Sequence, residues 1–197
     1  MGGVTPQGRG RYPGHDVLAQ AAHWDAATRR VVLARVERVP PVRFFAPAEE
    51  RALRAFCDVV MAQDREPRVP VLELVDAKLQ AGKLDGFRYA DMPEDPETWR
   101  RVARNLDASA RERGAEDLAA LDADARHALV KDFADGELAW DDLPVRRAWE
   151  VVTRIVVSEF YSHPWAWNEI GFGGPAYPRG YVRLGAGQRE PWEAPPA

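Results

Sequence analysis

The amino-acid sequence predicts an all-α protein, a compact bundle of about five helices carrying extended, irregular arms at both ends. Three observations predict it. Glycine and proline, which punctuate regular structure, crowd the ends, where the first 14 and last 27 residues hold 18 of the 31. Between them, apolar residues recur at the three- and four-residue steps of helical faces. No alternation of strands and helices, of the kind that builds a parallel sheet, is present. The expected organisation is an N-terminal arm over 1–43, a helical core over 44–170 and a Gly-, Pro- and aromatic-rich arm over 171–197.

The elements follow in order. Arg29–Val39 is rich in valine and reads as extended, with Trp24–Thr28 before it as a turn. The first helix spans Pro47–Gln63, with Leu53, Phe56, Cys57, Val60 and Met61 on one face. Pro47 suits a first turn, and Glu49 and Glu50 complement its positive end. A second helix starts at Pro70, buries Val71, Leu74, Val75 and Leu79, and stops at Gly82. Asp95-Pro96-Glu97 opens a third, with Asp95 as cap; it turns Trp99, Val102, Ala103 and Leu106 inward and ends near Gly114. Asp122 caps a fourth through Leu129, Val130 and Phe133, stopped by Gly136. The fifth and longest runs from Pro144 to Tyr161, its stripe formed by Val145, Trp149, Val152, Ile155, Val156 and Phe160. Its β-branched residues lower helix propensity, which the length and period of the run outweigh. Pro164 lies past its end.

Charge and composition exclude several classes. With 27 Lys and Arg against 31 Asp and Glu, the 197 residues carry a net charge of −4, the wrong sign for a protein held to nucleic-acid phosphates. The charge is uneven, with residues 1–45 at +4, 171–197 at +1 and the middle therefore acidic. The single Cys57 excludes an internal disulfide framework, a cysteine-ligated zinc site and an iron–sulfur cluster within the chain. On the apolar face of its helix, Cys57 is expected to be buried and inert. No run approaches the roughly 18 apolar residues of a membrane span. The opening residues show neither a secretory nor a twin-arginine signal, so an intracellular protein is expected.

Reactive constellations are sparse. His15, His23, His127 and His163 are scattered. Glu159 and His163, four apart, are the one pairing with metal-ligand spacing; a local contact or a helix cap explains them as well. Nucleophile-elbow, phosphate-loop and H-E-x-x-H signatures are missing. Gly171-Phe-Gly-Gly follows a helix and opens none, so it is no dinucleotide cradle.

The unusual stretch is 159–185, where Phe160, Tyr161, Trp165, Trp167, Phe172, Tyr177 and Tyr181 place seven aromatics within 22 residues. Interleaved glycines and prolines argue against a helix or a strand there. Such a segment must satisfy its backbone on another surface, and Trp, Tyr and Arg are interface anchors. Either a partner or the chain's own helices supply that surface.

These features carry a resemblance. Phe44-Phe45-Ala46-Pro47-Ala48-Glu49, the helical middle, Glu159-Phe-Tyr-Ser-His-Pro, Asn168, Gly171-Phe-Gly-Gly and Tyr177-Pro-Arg-Gly together resemble the gluconate 2-dehydrogenase subunit 3 family over about residues 44–187. The resemblance implies a small non-catalytic subunit that holds no cofactor or metal itself. Its implied partner is a large FAD-dependent oxidoreductase of the glucose–methanol–choline (GMC) type, acting on a sugar or related alcohol, which the small subunit binds, stabilises or helps to mature. Many relatives begin with a twin-arginine signal. Its lack here favours a cytoplasmic complex, or a periplasmic one if an upstream signal was removed. Trp165–Asn168 and Arg179–Arg183 depart from the commonest family pattern. Tyr161, His163, Trp165, Trp167, Asn168, Gly173, Gly174, Tyr177 and Arg179 are the expected partner-binding residues, with Gly173 and Gly174 permitting backbone closed to other residues. Two alternatives stand beside this reading: a small metal-dependent helical-bundle enzyme using Glu159 and His163 with Asp132 or Asp135, and a homo-oligomeric scaffold.

Overall fold

The computed structural model of the chain describes residues 12, 14–84, 86–181 and 185–195. Most of the arm before Gly14, and Val182 and Arg183 of the C-terminal run, lie outside the described residues. The described residues form seven α-helices and two short 3-10 helices, with no strand among them. They divide into two units. A core unit comprises Pro40–Ala62 and Pro70–Glu159; a terminal unit comprises the residues up to Val39, Gln63–Val69 and those from Phe160 onward.

The core unit contains α2 (Pro47–Val60), α3 (Val71–Gln80), α4 (Asp95–Glu112), α5 (Ala123–Asp135) and α6 (Val145–Tyr161) up to Glu159. Their ends follow local chemistry. Asp122 accepts the Ala125 N–H at 2.8 Å, and Gly136 closes α5 in the left-handed conformation at φ 72°. α4 begins one residue earlier than expected: Glu94 occupies the cap position, and Asp95 and Pro96 are the first helical residues. This leaves Asp95 at the positive end of the helix, where an acid is favoured.

Trp99, Val102, Leu106 and Ala110 of α4, Leu53 and Phe56 of α2, Phe133 of α5 and Val152 and Ile155 of α6 are all excluded from solvent. Phe133 is central, 5.9 Å from the Phe56 ring, 5.2 Å from Trp149 and 4.6 Å from Trp140. In α3 the buried residue beside Val71 is Leu72, while Leu74 is half-buried. Cys57 is buried in α2. Burial first, then the nearby Asp58, pushes its thiol far above the ordinary range.

One buried acid organises the approach to α2. The Asp76 carboxylate, fully enclosed, accepts the backbone N–H groups of Arg43 at 2.8 Å, Phe44 at 2.9 Å and Phe45 at 3.0 Å. Three charge-assisted bonds fix a turn that would otherwise leave its donors without partners. Phe45 then packs 6.0 Å from Trp99, and Phe44 lies under the Arg100 guanidinium.

The terminal unit departs from expectation twice. Arg29–Val39, expected to be extended, is helical as far as Glu37, within α1, Ala26–Glu37. The residues expected to turn start it: Asp25 caps α1 by accepting the Thr28 N–H at 2.8 Å. Bonds from Thr28 hold the Asp25 carboxyl below its usual value. A 3-10 helix, Val17–His23, precedes it, and Val17, Trp24 and Val32 form a small core. Second, the aromatic run is not free of helix, because Pro164–Ile170 forms α7. Pro164 stands at a first-turn position, where its missing N–H costs nothing.

Replacing Asp76 by alanine leaves three N–H donors, one buried and two part-buried, without their acceptor. We expect a loss of about 3 kcal/mol or more, measured as a lowered urea midpoint with an unchanged slope. A loss under about 0.5 kcal/mol, within the range of ordinary surface substitutions, would contradict this role.

Candidate functional site

The expected partner-binding residues all lie in the terminal unit, but at different depths. Tyr161 is 44% exposed and Tyr177 is 67% exposed. Trp165, Trp167 and Arg179 are half-buried. His163, Asn168, Gly173 and Gly174 are enclosed within the unit, so their chemistry is spent on their own chain.

His163 and Asn168 bracket α7, each 1% exposed. Asn168 Oδ1 accepts the Val17 N–H at 2.8 Å, a bond between residues 151 apart in sequence. His163 is the α7 cap: its Nδ1 accepts the Trp165 N–H at 3.2 Å. The proton therefore sits on Nε2, which donates to the Arg35 carbonyl of α1 at 3.1 Å. The Arg35 guanidinium in turn donates to the Ser162 carbonyl. Arg35 and His163 thus fasten α1 to the start of α7 from both sides. Farther along, a His15 ring nitrogen meets the Phe172 carbonyl at 3.1 Å.

Gly174 completes the arrangement. At φ +80° it is left-handed, and a Cβ there would lie 2.8 Å from Val17 Cγ2 and 2.9 Å from Trp24 Cζ2. Only glycine lets this strand of chain lie so close to the small core.

On this framework sits an open groove of about 480 Å³. Ala27, Thr28, Val31, Val32 and Arg35 of α1 form one wall, and Trp167 and Pro175 the other. Val31, in the α1 wall, is 54% exposed. Trp167 is held in place by its indole N–H, which donates to the Tyr161 carbonyl at 2.6 Å, and by an edge-on contact with Phe172 at 5.6 Å. Ile170, Tyr161 and Tyr177 add exposed apolar surface to the same unit. Trp167 stood out in the sequence from its place in the aromatic run, and it lines this groove. The α1 wall did not, because its valines read as extended chain.

For Glu159 and His163 the expectation is a local contact or a helix cap, and His163 is a cap, at the start of α7. Glu159 meets Lys78 at 3.4 Å, and both His163 nitrogens face backbone groups. Among the described residues, no group of three or more His, Cys, Asp or Glu could hold a metal ion. Asp132 pairs with Arg113 at 2.6 Å, and Asp135 with Lys131. Also among the described residues, no helix is long and apolar enough to cross a membrane.

The fold and this face define a class: an all-helical protein with an open, largely apolar groove on its terminal unit. The family model for gluconate 2-dehydrogenase subunit 3 matches residues 47–174, and the chain belongs to that family. No curated protein and no solved structure matches it.

Two predictions test the framework. Burial above all, reinforced by the Arg35 charge and opposed by the bond to the Arg35 carbonyl, pushes His163 down from 6.5 to about 4. The unfolded chain then binds the proton more readily than the folded one, so stability rises with pH between these values. His163's contribution is complete above about pH 6.5 and is lost as pH falls towards 4, to a total of about 3 kcal/mol. Urea unfolding at neutral and mildly acidic pH should show this loss, and a His163→Gln variant should lack that component. Gly174→Ala should destabilise the terminal unit by about 2 kcal/mol, read as faster amide exchange in Val17–Val32.

Proposed function

We propose that this chain is the non-catalytic small subunit of a sugar or alcohol dehydrogenase complex. It binds and stabilises, or helps to mature, a large FAD-dependent oxidoreductase of the GMC type, which carries the flavin and the chemistry. Family membership is the observation that carries this reading. The groove between α1 and α7 supports it by offering exposed Val31 and a pinned Trp167 on one face. A tryptophan fixed in orientation loses little entropy on association, which suits an anchor. Tyr161, Trp165 and Tyr177 extend the proposed contact surface, while His163, Asn168, Gly173 and Gly174 hold it in shape.

Co-expression of the chain with a large flavoprotein subunit from the same genome tests the proposal. A co-purifying complex with flavin absorbance supports it, and turnover by this chain alone overturns the non-catalytic assignment. Val31→Asp, on an exposed position, should leave folding intact and weaken assembly by about 2 kcal/mol or more, measured by titration calorimetry. An unchanged dissociation constant would remove the groove from the interface.

A further inference from the structure

A smaller concavity of the terminal unit, of about 290 Å³, is lined by Gln20, His23, Arg179, Pro191 and Trp192. Arg179 dominates it. Its guanidinium stacks on the Trp192 ring, 4.1 Å from the centroid. Nη1 donates to Gln20 Oε1 at 2.9 Å, and Nη2 makes a long 3.4 Å bond to the Pro175 carbonyl. Both acceptors are neutral. The Arg179 Nε–H is buried with no acceptor, as is the indole N–H of Trp192. Burial pushes the Arg179 guanidinium below its ordinary value, and the fields of Tyr181 and Glu190 only partly oppose that.

The pocket is therefore rich in donors and short of an acceptor. Unmade buried N–H bonds are costly, more so at a charged group, and native proteins keep few of them. Of the Arg179 donors, Nε has no partner and Nη2 has only the long bond to the Pro175 carbonyl. Two parallel N–H groups on one edge of a guanidinium match the two oxygens of a carboxylate in spacing and plane. The Trp192 stack holds the guanidinium plane, which reduces the entropy lost when the fork closes on a ligand. His23, exposed on the last turn of its 3-10 helix, adds an imidazole beside the mouth.

We propose that this pocket is a carboxylate-binding site, in which Arg179 stacked on Trp192 takes the carboxylate and His23 lies at its rim. The carboxylate comes either from an acidic side chain of a partner protein or from a free organic acid.

The test uses the full chain labelled with nitrogen-15, titrated with sodium acetate and, separately, with sodium chloride at equal ionic strength. The indole N–H resonance of Trp192, assigned by loss in Trp192→Phe, should shift saturably with acetate and not with chloride. Arg179→Gln should weaken the acetate response about tenfold or more. His23→Ala, at an exposed position, should weaken it less and keep the fold. Equal drift in both salts, or no response to acetate, overturns the proposal on the wild-type chain alone, whatever Arg179→Gln does to folding. Repeating the titration on the assembled complex separates the sources: a response lost on assembly identifies a partner carboxylate, and one retained identifies a free acid.

Discussion

The terminal unit rests on buried and part-buried polar bonds between residues far apart in sequence. Asn168 reaches Val17, His163 reaches Arg35, and Arg35 reaches Ser162. Each joins the two ends of the chain, and each satisfies a group that burial would otherwise leave costly. The apolar core of this unit is small, built on Val17, Trp24 and Val32 with Trp167 against it. With so little apolar area, the polar bonds decide which way α7 faces. The groove exists because they hold α1 and α7 in one relation.

This dependence explains what could be read in advance. α2, α4, α5 and α6 carry apolar stripes at helical period, and caps such as Asp122 and stops such as Gly136 mark their ends. Local chemistry suffices for these. α1 has no such stripe, because Val31, Val32 and Leu33 are consecutive and only Val32 is buried. Its helical state follows from the Asp25 cap and from contacts with residues elsewhere in the chain. α7 was hidden for a related reason. A proline ordinarily ends a helix, but Pro164 begins one because His163, an uncommon cap, takes the Trp165 N–H.

The candidate site was legible in the same partial way. Aromatic density pointed to the segment around α7, and Trp167 and Arg179 there line concavities. Residue type alone could not separate the side chains that form a surface from those that brace it. Asn168 and Tyr177 look equally suited to a partner from sequence, yet one is enclosed and the other is the most exposed of the large hydrophobic side chains described. That distinction depends on long-range contacts, as do the α1 wall and the pairing of Arg179 with Trp192.

Cys57 gives the core unit an internal reporter. Enclosed in α2, with its thiol pushed far from the reactive thiolate form, it is shielded from alkylating reagents while the helices stay together. Any modification at this position must wait for α2 to separate from its neighbours. The labelling rate of this one sulfur therefore counts opening events of the core, independently of whatever the grooves on the terminal unit are holding.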